Sequence, residues 1–136
     1  MNVILEKLRK SGLRATPQRI AIYEALESFG HAKPEAVFEK VRKKFEGISI
    51  ATVYSSLNTL AEKGVISRLI LSDNSQYFDI TNIPHSHFVC RECGTVFDVE
   101  DRICPSGIEA KKIGKIDFYN LVYYGVCNRC KQKNRR

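Results

Sequence analysis

Residues His85–Asp98 read H-S-H-F-V-C-R-E-C-G-T-V-F-D, placing two histidines, two cysteines and the Asp98 carboxylate within fourteen residues. The Cys90-x-x-Cys93 spacing lets two thiolates turn toward one metal ion, and Cys127-x-x-Cys130 near the C-terminus supplies a second pair. Together they are the four sulfurs of a tetrahedral zinc site, with Zn–S bonds of about 2.3 Å. Four thiolates leave no open position, so this zinc is expected to be structural. His85 and His87 stand two residues apart, which on a strand turns both side chains to one face. Cys90 falls on the other face, so histidines and thiolates are expected to serve different metals.

A chain of 136 residues holds one domain, or two small ones if the smaller is stapled. The formal net charge of +7, from 22 Lys and Arg against 15 Asp and Glu, favours an anionic partner, nucleic acid before an anionic membrane surface. No apolar run approaches the roughly 18 residues that cross a bilayer, and no secretory n-region and h-region follow Met1. A soluble, cytoplasmic protein with no membrane role is expected. In a reducing compartment cysteines suit metal ligation better than disulfides. Cys104, the fifth, reads as a small buried or half-buried thiol.

Along the chain, helices are expected over residues 2–11, from Thr16-Pro17 through Phe29, from Pro34 to the break at Gly47, and over Ile50–Lys63 behind a Ser49 cap. Two β-rich runs, Val65–Leu71 and Gln76–Ile80, flank Ser72-Asp73-Asn74-Ser75 and read as a hairpin. Three helices and a two-stranded wing, with a further helix in front, make a winged helix-turn-helix over residues 1–80. Residues 81–84 read as a hinge. Residues 85–136 read as a small α/β dimerisation domain: strands at His87–Cys90 and Thr95–Val99, a helix at Pro105–Lys112, a long strand at Ile116–Val126 able to pair with a second copy, and a frayed basic tail from Lys131. The fold class is α+β, and zinc would staple a second domain too small to be comfortable alone.

The helix from Ile50 is the candidate DNA reader, because short hydroxyl and amide side chains can enter a major groove and touch base edges and phosphates. Ser49, Thr52, Tyr54 and Ser55 lie at its start, with Lys10, Arg14 and Arg19 ahead of it for phosphate contacts. The same composition also suits an ordinary solvated helix face. The remaining metal-ligand candidates are His31, Asp79, His85, His87 and Asp98, whose nitrogen and oxygen donors suit Fe(II), Mn(II) or Zn(II). Each has a plain alternative: His31 as a helix cap, the aspartates as solvated strand ends. No nucleophile–base constellation is present, so an enzyme is not expected. A zinc hydrolase built on His85 and His87 and a thiol redox switch built on the Cys-x-x-Cys pairs are the rival classes.

Gly12-Leu-Arg-Ala-Thr-Pro-Gln-Arg19, Ser49-Ile-Ala-Thr-Val-Tyr54, the His85–Gly94 stretch and the second Cys-x-x-Cys together resemble the ferric uptake regulator family over essentially the whole chain. The resemblance implies a homodimeric, metal-dependent transcriptional repressor that binds a palindromic double-stranded DNA operator. It also implies that His31, Asp79, His85, His87 and Asp98 form the regulatory metal site at the hinge. Pro84 and Ser86 stand where the iron-uptake branch typically has a further histidine and an acid. The ligand set with Asp98 is similar to that of the peroxide-responsive branch, and that resemblance implies that peroxide reacting with bound Fe(II) oxidises His31 or His85. An iron- or zinc-responsive uptake repressor of the same family is the alternative, and zinc can enter the regulatory site in vitro.

Overall fold

The structure is a computed structural model that describes residues 3–81, 85–100, 108–116 and 119–133. The chain divides into two compact units, Met1–Asn82 and Ile83–Arg136.

The first unit begins with α1 (Val3–Ser11), which buries Ile4 and Leu8 and leaves Val3 exposed. Thr16 caps α2 (Pro17–Phe29), its hydroxyl accepting from the Arg19 N–H at 3.2 Å, and Pro17 opens the first turn. α2 ends at Gly30, whose φ of +82° is open to glycine and costly to other residues. The chain then makes β1 (His31–Ala32), α3 (Pro34–Val41) and α4 (Ile50–Glu62). α3 stops at Val41, well before Gly47; Phe45 lies beyond the helix yet still packs on the core.

β2 (Ser67–Ile70) and β3 (Gln76–Asp79) form the expected hairpin, turning through Asn74 at φ +69°. The wing has three strands rather than two, in the order β1-β3-β2, with His31 directly opposite Asp79. A two-residue strand such as β1 is too short to show alternation in sequence. His31 is therefore a strand residue, and the cap positions of the flanking helices are Gly30 and Lys33. Phe78, Leu8, Ile22, Leu26, Leu57 and Leu60 are fully buried at the centre of this unit. At about 1.5–3 kcal/mol for each such side chain, the first unit has a core of its own.

The second unit is a sheet of order β5-β4-β6, built from β4 (Ser86–Cys90), β5 (Val96–Val99) and β6 (Val122–Gly125). β5 runs antiparallel to β4 and β6 parallel to it. The long strand expected over Ile116–Val126 is thus only four residues, because its ladder partner β4 is only five. The ladder closes where Gly125 faces Cys90, and a Cβ at Gly125 would meet the Phe88 ring at 3.1 Å. α5 (Ile108–Lys111) covers the end of the expected 105–112 helix, while the rest of that helix and Cys104 fall outside the described residues. The expected frayed tail instead begins inside α6 (Asn128–Lys133), whose Lys131 N–H bonds the Cys127 carbonyl.

Among the described residues of this unit the buried ones are Ser86, His87, Cys90 and Val96. That set is too polar and too small to stabilise a fold alone. Among the described residues no helix is long and apolar enough to cross a membrane.

Candidate metal centres and nucleic-acid interface

The β4–β5 turn and the start of α6 bring Cys90, Cys93, Cys127 and Cys130 together, with all four sulfurs within 4.8 Å of one another. Cys93 Sγ lies 3.9 Å from Cys127 Sγ. Cys90 Sγ accepts backbone N–H groups from Cys127 at 3.3 Å and from Cys93 at 3.5 Å. These two donors, Cys127 first, hold the Cys90 thiol down to about 6. Cys93 is also lowered, chiefly by the Thr95 hydroxyl 3.3 Å away. Cys130 is pushed up to about 12, because the neighbouring Cys127 sulfur holds its proton in a hydrogen bond. Four thiolates cannot share this volume unless a cation offsets their repulsion. The donor set and the preformed N–H···S bonds fit tetrahedral zinc.

On the other face of β4, His87 stands directly opposite Asp98 of β5. His87 Nε2 is 3.4 Å and His85 Nε2 3.5 Å from the same oxygen, Asp98 Oδ1. The two imidazole rings lie 4.4 Å apart by their centroids. Alternation along the chain turns both histidines toward the Asp98 carboxylate, and cross-strand pairing sets the separation. Two imidazoles and a carboxylate converging on one point are suited to a divalent cation, and sulfur is absent from this trio.

In the first unit, His31 and Asp79 are an opposed pair on the β1–β3 ladder, and Asp79 is almost fully buried. Asp79 Oδ1 accepts the Thr81 N–H at 2.8 Å, while the His31 ring meets Tyr77 edge-on with centroids 6.2 Å apart. A buried carboxylate at a strand end is an expensive placement without charged or hydrogen-bonded partners.

In α4, Val53, Leu57 and Leu60 anchor the helix to the core. Ser49 caps it, accepting from Thr52 N–H at 3.1 Å and lying 2.9 Å from the Thr52 hydroxyl. Ser55 is exposed, while Thr52 and Tyr54 are half-buried beside it. Arg14 is exposed, whereas Arg19 is half-buried and its Nη1 donates to the Arg14 carbonyl at 2.7 Å, bracing the loop before α2. Two residues escaped the sequence reading. Arg68 of the wing donates to Asn58 Oδ1 of α4 at 2.7 Å, tying wing to helix. Glu35 of α3 accepts the Tyr54 hydroxyl. No spacing rule could have found either, since both bonds join separate elements.

The sequence profile of the Ferric uptake regulator family matches residues 10–119. The peroxide operon regulator of Bacillus subtilis (strain 168) is 34% identical over 136 residues, covering 95% of this chain and 92% of that protein. Among solved structures, the Campylobacter jejuni peroxide stress regulator matches with a TM-score of 0.68 and 29% identity, over 96% of this chain and 100% of that one. The ferric uptake regulator of Pseudomonas aeruginosa with manganese matches with a TM-score of 0.71 and 26% identity, over 93% and 99%.

Proposed function

The chain belongs to the ferric uptake regulator family, and on that premise we propose that it is a metal-dependent, DNA-binding transcriptional repressor that responds to peroxide. It is a regulator and not an enzyme. The observation that carries the proposal is the convergence of His85 and His87 on one oxygen of Asp98, on the face of β4 opposite the thiolates. Asp79 and His31, supplied by the first unit, would complete an all-nitrogen-and-oxygen shell for Fe(II) or Mn(II). Zinc would occupy the four cysteines.

We assign residues 1–80 to DNA binding, 81–84 to a hinge and 85–136 to dimerisation. Exposed apolar side chains of the second unit, among them Phe97, Tyr119 and Tyr124, support a second copy as the partner. A homodimer carries two reading helices, which suits a palindromic operator with half-sites about one helical turn apart. Ser49, Thr52, Tyr54 and Ser55 would face the groove, with Arg14 on phosphate and Arg19 holding the loop that presents it. The regulatory metal acts as a ligand that selects the DNA-competent arrangement of the two domains. Bound Fe(II) supplies the reactivity toward peroxide, and the family resemblance suggests His31 or His85 as the ring that gains an oxygen atom. Control of iron or zinc uptake shares every feature except that reaction; the peroxide regulators among the relatives favour the first reading.

The test is affinity for a duplex selected from a random library, measured at fixed salt with Mn(II) and after chelation mild enough to leave the thiolate-bound zinc. Binding is expected to be about 5- to 150-fold tighter with Mn(II), the usual range for coupling between two sites. Equal affinity in both states would remove the metal-dependent repressor from consideration.

A further inference from the structure

Tyr54, in the first turn and a half of the reading helix, donates its hydroxyl to Glu35 Oε1 at 2.5 Å. Glu35 is the second residue of α3, so the bond joins the two helices of the helix-turn-helix across their exposed side. A cleft of about 410 Å³ borders the pair, lined by Lys33, Glu35, Tyr54 and the wing-turn residues Asn74, Ser75 and Gln76. The Tyr54 hydroxyl, with a smaller contribution from Lys33, holds the Glu35 carboxyl below its ordinary value. The same bond raises the Tyr54 phenol, since ionising it would discard the shared proton.

A carboxylate beside a DNA-reading helix opposes binding to every duplex, because it repels phosphate. Its presence there calls for a role other than affinity. A phenol has one proton to donate and lone pairs with which to accept. Once that proton is committed to Glu35, the oxygen can only accept, which suits the amino groups of adenine and cytosine and not the carbonyl oxygens of guanine and thymine.

We infer that Glu35 is a positioning residue for sequence discrimination: its carboxylate fixes the Tyr54 side chain and accepts its O–H as a hydrogen bond, so that the phenol oxygen meets base edges as an acceptor. This rests on the DNA-binding function proposed above. General affinity is lowered so that choice between sequences is sharpened.

The test compares wild type, Glu35→Ala, Glu35→Gln, Tyr54→Phe and the Glu35→Ala/Tyr54→Phe pair, each in its Mn(II) form at fixed salt. Binding is measured to the library-selected duplex and to a scrambled duplex of the same composition. Glu35→Ala is expected to bind the scrambled duplex more tightly than wild type does, while its discrimination falls by about tenfold, the scale of one charge-assisted hydrogen bond. Glu35→Gln should keep the discrimination, since the amide oxygen still accepts the phenol proton. Tyr54→Phe should lose as much as Glu35→Ala, and the pair should lose no more than either alone. Parallel weakening toward both duplexes in Glu35→Ala would make Glu35 a structural support of α3 and overturn the assignment, as would additive losses in the pair. An unchanged Tyr54 phenol titration in free Glu35→Ala would overturn the pairing without reference to DNA. A wild-type protein that does not discriminate between duplexes overturns the DNA-binding function itself, a result distinct from all of these.

Discussion

Cys90→Ser protein is expected to purify without its structural zinc and to lose the ordered second unit, while the first unit stays folded. Cys90 is fully buried and accepts two backbone N–H groups, and a serine oxygen can still accept them. The substitution therefore removes a thiolate and little else. Structural zinc contributes about 10–16 kcal/mol in small zinc domains. Burial of Val96, the one other apolar side chain buried among the described residues of that unit, is worth only about 1.5–3 kcal/mol. The metal thus outweighs the core. Zinc per chain from native mass spectrometry, together with amide exchange over residues 86–99 and 122–125, checks the prediction. A zinc-free protein with all three strands still protected would contradict it.

The second large effect is expected at Asp98. Asp98→Ala should weaken Mn(II) binding by at least about a hundredfold, the upper end for loss of a mere outer-shell partner. Its operator affinity with metal should then fall to that of the chelated protein. The Asp98 side chain is 54% exposed, so its removal sacrifices little packing and the circular dichroism spectrum should not change. Asp98→Glu keeps the charge on an arm one methylene longer. It should retain metal-dependent DNA binding while losing much of the response to peroxide. Titration of Mn(II) by electron paramagnetic resonance separates the two substitutions, and full-strength binding by Asp98→Ala would remove that carboxylate from the proposed shell.

Much of this architecture is legible in the residues. Thr16-Pro17, Ser49 and the apolar positions Val53, Leu57 and Leu60 announce two helices because capping and helical spacing are local properties. The paired Cys-x-x-Cys motifs announce their cluster for a similar reason: a thiolate knuckle is made within four residues. What failed was set by partners distant in sequence. β6 ends at Gly125 because β4 ends at Cys90, a limit invisible in the apolar run from Ile116 to Val126. β1 exists because His31 and Ala32 find β3, and nothing in a dipeptide foretells a ladder. Glu35 entered no candidate set because its bond to Tyr54 spans two helices. Local chemistry and a hairpin can be read along the chain; pairing between segments distant in sequence cannot.

The most direct measurement loads the dimer with Fe(II) or with Mn(II) and follows operator binding before and after micromolar peroxide, with masses of the His31 and His85 peptides. The Fe(II) form is expected to leave the operator with one oxygen atom added to one of those peptides, while the Mn(II) form stays bound and unmodified. Fe(II) protein that remains on its operator with both histidines intact would contradict peroxide sensing and leave metal-uptake control in its place.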